Sequence, residues 1–215
     1  MIRVLLAASA LLLSTSCGLV TSNSKSVFVL VDASGTYARN MGDAVISSRL
    51  LAAKLNPNDW MGFAQISSCS FSDEGVVLRA RLPGVPSQAS LTKQQIFQSL
   101  ADYQDSFSAT AYTDIRGALR FAAAELENGR DGARYIIVFS DLVEDVAPDC
   151  DTRDLALDLT GITVIATNVA KLPQDGPNPQ GYFDRIDRWK QLVEAAGGEW
   201  RVTASSDQLL DAVYE

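Results

Sequence analysis

The sequence predicts an α/β fold: a doubly wound, mostly parallel central sheet with one antiparallel edge hairpin strand and helices on both faces. Three observations predict it. Continuous apolar, β-branched runs recur at residues 27–31, 135–139 and 162–166, the pattern of strands covered on both faces. Segments with apolar residues at helical spacing lie between such runs, as crossovers joining parallel strands require. Residues 60–66 and 75–82 read as two strands around a polar Ser/Cys loop, a hairpin.

Each remaining element follows from local pattern. Ala44, Val45, Leu50, Leu51 and Leu55 mark a helix over 41–55, which Asn56-Pro57 stops. Residues 82–89, with Pro83, Gly84 and Pro86, read as a loop, and 92–103 as a helix with Thr92 at its cap. Ile115, Ala118, Leu119, Ala122 and Leu126 line one face of a helix over 115–126. A helix over 182–196 closes at Gly197-Gly198, a short strand follows at 200–202, and a last helix covers 206–213. There is no internal repeat and no second domain.

Composition narrows the function. The 215 residues are 47% hydrophobic and 20% charged, a globular balance that one domain with a substantial core explains. The formal net charge of −8, with no cluster of Lys and Arg, argues against a nucleic-acid partner. Histidine is absent, which removes Ser-His-Asp and Cys-His hydrolases and nearly every zinc-hydrolase scheme. Any chemistry rests on carboxylates, hydroxyls or a hard metal ion.

The N-terminus reads as a targeting segment. Arg3 precedes an apolar and small-residue run at 4–13, too short to span a bilayer and suited to a signal-peptide core. Cys17 after Ser14-Thr15-Ser16 resembles a bacterial lipobox, although Ser14 stands where Leu is usual and Leu13 lies one place earlier. The chain therefore divides into a signal peptide (1–16), a lipidated Cys17 with a polar tether (17–25) and one domain (26–215). Lipidation, palmitate included, anchors the protein without spanning the membrane. With Gly18 and not Asp after the cysteine, it sorts to the outer membrane, facing the periplasm, if the cell has two membranes. A secreted or periplasmic soluble form is the alternative. Cys69 and Cys150 then remain as an even pair in an oxidising compartment, either disulfide-bonded or two buried thiols.

Three strand or helix ends carry hydroxyls and carboxylates. Asp32-Ala33-Ser34-Gly35-Thr36 follows the first strand, Thr113-Asp114-Ile115 opens the helix over 115–126, and Ser140-Asp141 ends the strand over 135–139. The first and the last of these strands are expected to be central neighbours, so Asp32 and Asp141 converge at the switch point, where ligands of such sheets bind. Each element alone is an ordinary capping or turn pattern. Together, in this order, they form a constellation.

It resembles the metal-ion-dependent adhesion site of the von Willebrand factor A (vWA) family. Asp32, Ser34 and Thr36 fit its Asp-x-Ser-x-Ser/Thr element, Thr113 its threonine loop, and Ser140-Asp141 its final aspartate element. Met61-Gly62-Phe63 on the second strand also matches, and the resemblance spans 26–215. Leu142 departs from it where Gly often follows the last aspartate, as do Ala111 and Tyr112 in place of glycines. The resemblance implies a non-enzymatic, metal-dependent adhesion or scaffold module. Its metal ligands are Asp32, Ser34, Thr36, Thr113 and Asp141, and its partner is a protein offering an Asp or Glu carboxylate. It also places the loops of Cys69 and Cys150 at one end of the sheet, which supports their pairing.

The donor set agrees with a hard cation. Mg2+ takes oxygen ligands in a near-octahedral array and keeps some waters; Mn2+ fits the same oxygens, and Ca2+ suits a compact site less. Two carboxylates and three neutral hydroxyls leave such an ion able to accept a further carboxylate. Asp114 reads as a first-turn helix charge, and Glu144, Asp145, Asp149 and Asp151 as a solvated rim around Cys150. Tyr37, Tyr112 and Leu142 either surround the ion or pack in the core, and the loop carrying Thr113 reads as exposed. Two other readings stand beside this one. A haloacid-dehalogenase-like phosphohydrolase also ends an apolar strand in Asp and uses an Asp-x-x-x-Asp element such as Asp141 and Asp145. Ser34, however, stands where its acid/base aspartate is needed, and no lysine is apparent for charge stabilisation. The other is a vWA domain with a purely structural role.

Overall fold

The computed structural model describes residues 24–127, 132–150 and 156–214. The signal segment, Cys17 and the tether up to Asn23 lie outside the described residues, as does Asp151. The strands are β1 (Lys25–Asp32), β2 (Trp60–Ile66), β3 (Val76–Arg81), β4 (Ala133–Phe139), β5 (Ile162–Thr167) and β6 (Glu199–Thr203). The α-helices are α1 (Met41–Lys54), α2 (Pro86–Ser106), α3 (Ile115–Glu127), α4 (Pro179–Ala195) and α5 (Ser206–Tyr214).

The strands form one sheet in the order β3-β2-β1-β4-β5-β6. All neighbours are parallel except β2 and β3, so the antiparallel hairpin strand lies at the edge as the sequence predicts. Alternation along β1 explains the two-sided burial: Val27, Val29 and Val31 face a layer built with α1, α2 and α5, while Phe28 and Leu30 face one built with α3 and α4. Gly62 on β2 pairs with Phe28. A Cβ there would lie 2.7 Å from the Phe28 ring and 2.5 Å from Trp60, so the glycine makes room for two aromatic rings.

Two helices begin earlier than their sequence readings, each at a proline: α4 at Pro179 and not at 182, and α2 more consequentially. The segment taken as a loop up to Ala89 is already helical, because α2 begins at Pro86. Proline fixes φ and lacks an N–H that the first helical turn would leave unpaired, so here it starts the helix. Thr92 consequently sits inside α2, where its hydroxyl donates to the Gln88 carbonyl (3.2 Å) and caps nothing. Among the described residues no helix is long and apolar enough to cross a membrane.

β1 continues toward β2 on one side, while β4 flanks it on the other. The C-terminal ends of β1 and β4 are thus neighbours at the point where strand order reverses, and Asp32 and Asp141 stand there.

Candidate metal centre

Asp32 is the last residue of β1 and is fully buried. Its Oδ1 accepts a hydrogen bond from the Ser34 backbone N–H (2.7 Å), which folds the chain back over the strand end in an Asx turn. Its Oδ2 accepts one from Ser140 Oγ (2.6 Å), reaching across from the end of β4. Burial pushes the Asp32 carboxyl above the ordinary carboxylate range and the charge of Asp141 adds to the rise, while the Ser140 and Ser34 hydrogen bonds oppose it.

The turn brings Ser34 Oγ within 3.0 Å of Thr36 Oγ1. Adjacent ligands on an octahedron with metal–oxygen bonds of about 2.1 Å are about 3.0 Å apart. Ser34 also bridges the 110 loop, where the Thr110 N–H donates to the Ala33 carbonyl (2.8 Å). That loop delivers Thr113, whose backbone pairs in both directions with Asp145 (2.7 and 3.0 Å). The loop is exposed at Ser108, Ala109 and Ala111, in line with its sequence reading, but Thr113 itself is buried, 3% exposed.

Asp114, not Thr113, caps α3. Its Oδ1 accepts from the Gly117 N–H (2.8 Å), while Oδ2 accepts from the Ser70 N–H (3.0 Å). This frees the Thr113 hydroxyl, which makes no hydrogen bond among the described residues. Glu144 takes a second N–H at the same helix end, that of Arg116 (2.8 Å), and pairs with the Arg116 guanidinium (3.0 Å). Burial pushes Glu144 up, opposed by Arg116. Of the acids read as a solvated rim, Asp145 and Asp149 are exposed but Glu144 is engaged in holding two site loops together.

The same loops are joined covalently. Cys69 and Cys150 form a disulfide with their Cα atoms 5.6 Å apart. Both sulfurs lie close to the Asp114 carboxylate, but a disulfide offers no thiolate, so this trio is not a metal site.

Asp141 completes the constellation. Oδ1 accepts from the Val143 N–H (2.9 Å), whereas Oδ2 is buried and has no hydrogen-bond partner among the described residues. Leu142 adopts φ +63°, the left-handed backbone that glycine takes at lower cost, which explains the departure noticed in the sequence. It is held there by Ser140 Oγ on its N–H (2.9 Å), by Trp189 Nε1 on its carbonyl (3.0 Å) and by burial. Leu142 and Tyr37 are therefore core residues, and Tyr112 is half-buried. Burial and the charges of Asp32 and Asp141 push the Tyr37 phenol up.

Arg185, Asp175 and Lys171 escape sequence reasoning. Arg185 on α4 donates from Nε to the Asp141 carbonyl (3.1 Å) and grips the buried Asp175 carboxylate with two further nitrogens (2.9 and 2.8 Å). Asp175 is held down to about 2 by Arg185 above all. Ser140 was legible only as the neighbour of Asp141. Lys171, from the loop after β5, lines a cleft shared with Thr36, so a lysine does reach the rim of the site.

No protein-family model matches the sequence, and no curated protein matches it. Solved structures share the fold. A von Willebrand factor type A protein from Catenulispora acidiphila superposes with a TM-score of 0.58 at 11% identity, over 89% of this chain and 41% of that one. A minor pilin, PilB from Streptococcus sanguinis, gives 0.54 at 11% identity, over 89% of this chain and 62% of that one. An aerotolerance-related membrane protein from Bacteroides fragilis gives 0.52 at 13% identity, over 88% of this chain and 96% of that one. This chain thus spans less than half of the first of these proteins and nearly all of the last. With the sheet order, the edge hairpin and the placement of the strand ends, these likenesses establish that the chain has the von Willebrand factor A fold.

Proposed function

We propose that this protein is a metal-dependent protein-binding module, used for adhesion or as a scaffold. Asp32, Ser34, Thr36, Thr113 and Asp141 hold the ion. The observation that carries this reading is Asp141 Oδ2, a buried carboxylate oxygen without a partner among the described residues. Such an atom loses its hydration for nothing in return unless a cation or a cation-bound water meets it. The hydroxyls of Ser34 and Thr36 at octahedral spacing, and the unengaged hydroxyl of Thr113, supply oxygens for the same ion.

Mg2+ suits this set best and Mn2+ fits it; bound there, the ion supplies an electrophilic centre for a carboxylate oxygen of a protein partner. The chain's own residues prepare that centre. Ser140 and the Ser34 N–H fix Asp32, Arg185 fixes the Asp141 carbonyl, and the disulfide with Glu144 and Asp145 fixes the Thr113 loop. Ser34 stands where the phosphohydrolase reading needs its acid/base aspartate, which counts against that reading.

The apolar run at 4–13 and Cys17 support export and lipid anchoring. That structural neighbours include a minor pilin and a membrane protein accords with a place at the cell envelope.

Affinity capture tests the function. The immobilised protein is incubated with cell-envelope extract in Mg2+ and in EDTA, with Thr113→Ala as control. A protein retained in Mg2+, released by EDTA and not retained by the variant supports the reading. Retention that ignores both EDTA and the variant leaves a structural vWA domain. Mg2+-dependent hydrolysis of a phosphomonoester, abolished by Asp32→Asn, would shift the assignment to an enzyme.

A further inference from the structure

Beside the metal ligands lies a cleft of about 620 Å³ that Thr36 shares with the candidate centre. Its other walls are Arg39 and Asn40 before α1 and the 168–173 loop after β5. Among the described residues, Arg39 and Lys171 are the only charged ones in its lining, and both are cations. On a chain of net charge −8 that is a local reversal of sign.

Neither cation forms an ion pair among the described residues. Arg39 is exposed and has no ion pair or hydrogen bond among the described residues. Lys171 is exposed and lies over the Tyr182 ring, 5.7 Å from its centroid, a contact that leaves the charge available. The buried Asp175 carboxylate feels the Lys171 charge, but its close ion pair is with two nitrogens of Arg185, so Lys171 keeps no carboxylate of its own in contact. The amide side chains of Asn40 and Asn168 add donors to the same walls.

We infer that this cleft receives a second acidic side chain of the partner segment whose first carboxylate binds the metal. The inference rests on the metal-binding reading and specifies its partner as an acidic peptide segment, not a lone carboxylate in a neutral context. Thr36 belongs to both places, so the two acids lie close along the partner chain. An extended segment advances about 3.3–3.6 Å per residue, which puts the second acid about one to three positions away. Cations at the rim of a binding site act chiefly on association and on salt dependence, and they reject neutral or basic competitors.

The test uses two synthetic ten-residue peptides, one with a single Asp among Gly, Ser and Thr, the other with two Glu added within three positions of that Asp. Binding to the full chain in Mg2+ is followed by fluorescence anisotropy at low and high salt. The variant is Arg39→Gln with Lys171→Gln, both exposed and neither a metal ligand. The expected result is about tenfold tighter binding of the acidic peptide to the wild type, shrinking with salt and absent in the variant, whose Mg2+ affinity does not fall. Equal binding of the two peptides, no binding of either, or a preference that survives in the variant would overturn the inference. Calorimetric titration with Mg2+ alone separates the levels: a protein that takes no metal loses the metal reading itself, whereas one that takes metal without acidic preference loses only the cleft.

Discussion

Ser140 Oγ joins the two central strand ends by donating a 2.6 Å hydrogen bond to Asp32 Oδ2 while accepting one from the Leu142 N–H. One hydroxyl thus orients a carboxylate of β1 and fixes the left-handed turn that follows Asp141.

Ser140→Ala leaves Asp32 Oδ2 and the Leu142 N–H buried and unpaired. The expected loss is about 2–4 kcal/mol of stability, from two unsatisfied polar groups, together with weaker metal binding. Urea unfolding of variant and wild type measures the first. A loss below about 0.5 kcal/mol, the range of inconsequential surface changes, would show that this hydroxyl is not the tie.

Gly117→Ala is expected to destabilise although it replaces glycine within a helix, where alanine is ordinarily favoured. A Cβ at 117 would fall on the Asp114 carboxylate, displacing it from both the Gly117 and Ser70 N–H groups. The helix cap and the anchor of the disulfide loop fail together, at about 2–4 kcal/mol. Thermal unfolding checks the sign; a rise in Tm would contradict the cap.

The disulfide closes a loop with a sequence separation of 81 residues. Replacing Cys69 and Cys150 by serine is expected to cost about 3–5 kcal/mol through the freed unfolded chain, and to loosen the Thr113 loop. In a chain with Cys17→Ser, thiol titration of the unreduced, unfolded protein is expected to find no free thiol. Two titratable thiols would remove the bond.

Asp175 links stability to pH. Its folded carboxyl is held down to about 2 by Arg185, below an unfolded value of about 3.9. Stability from this pair is therefore fully present above about pH 4 and is lost as pH falls from there toward 2. Asp175→Asn is expected to lower stability at neutral pH and to flatten the acid limb between about pH 4 and 2. Parallel pH profiles for variant and wild type would contradict the assignment.

The sheet, its edge hairpin and the adjacency of β1 and β4 were legible because strands covered on both faces read as unbroken apolar runs, and the late starts read for α2 and α4 came from taking Pro86 and Pro179 as lying outside the helices they begin. The five candidate ligands were legible because strand ends and a helix start concentrate hydroxyls and carboxylates in a fixed order. Their supports were not. Arg185 reaches Asp141 from 44 residues away, and Lys171 reaches the cleft from the loop after β5, by contacts that no local periodicity records. The cap illustrates the same limit: Thr113 and Asp114 are equally good caps by residue type, and only packing against Ser70 and Gly117 selects Asp114.

Binding of a divalent cation by these residues is decided by calorimetric titration of the metal-free protein with Mg2+ and Mn2+. One site per chain is expected, lost in Asp32→Ala and weakened in Thr113→Ala, with the thermal stability of the wild type rising as the metal is added. Titrations of the wild type with both metals that show no binding heat, with a Tm indifferent to Mg2+, Mn2+ and EDTA alike, would contradict it.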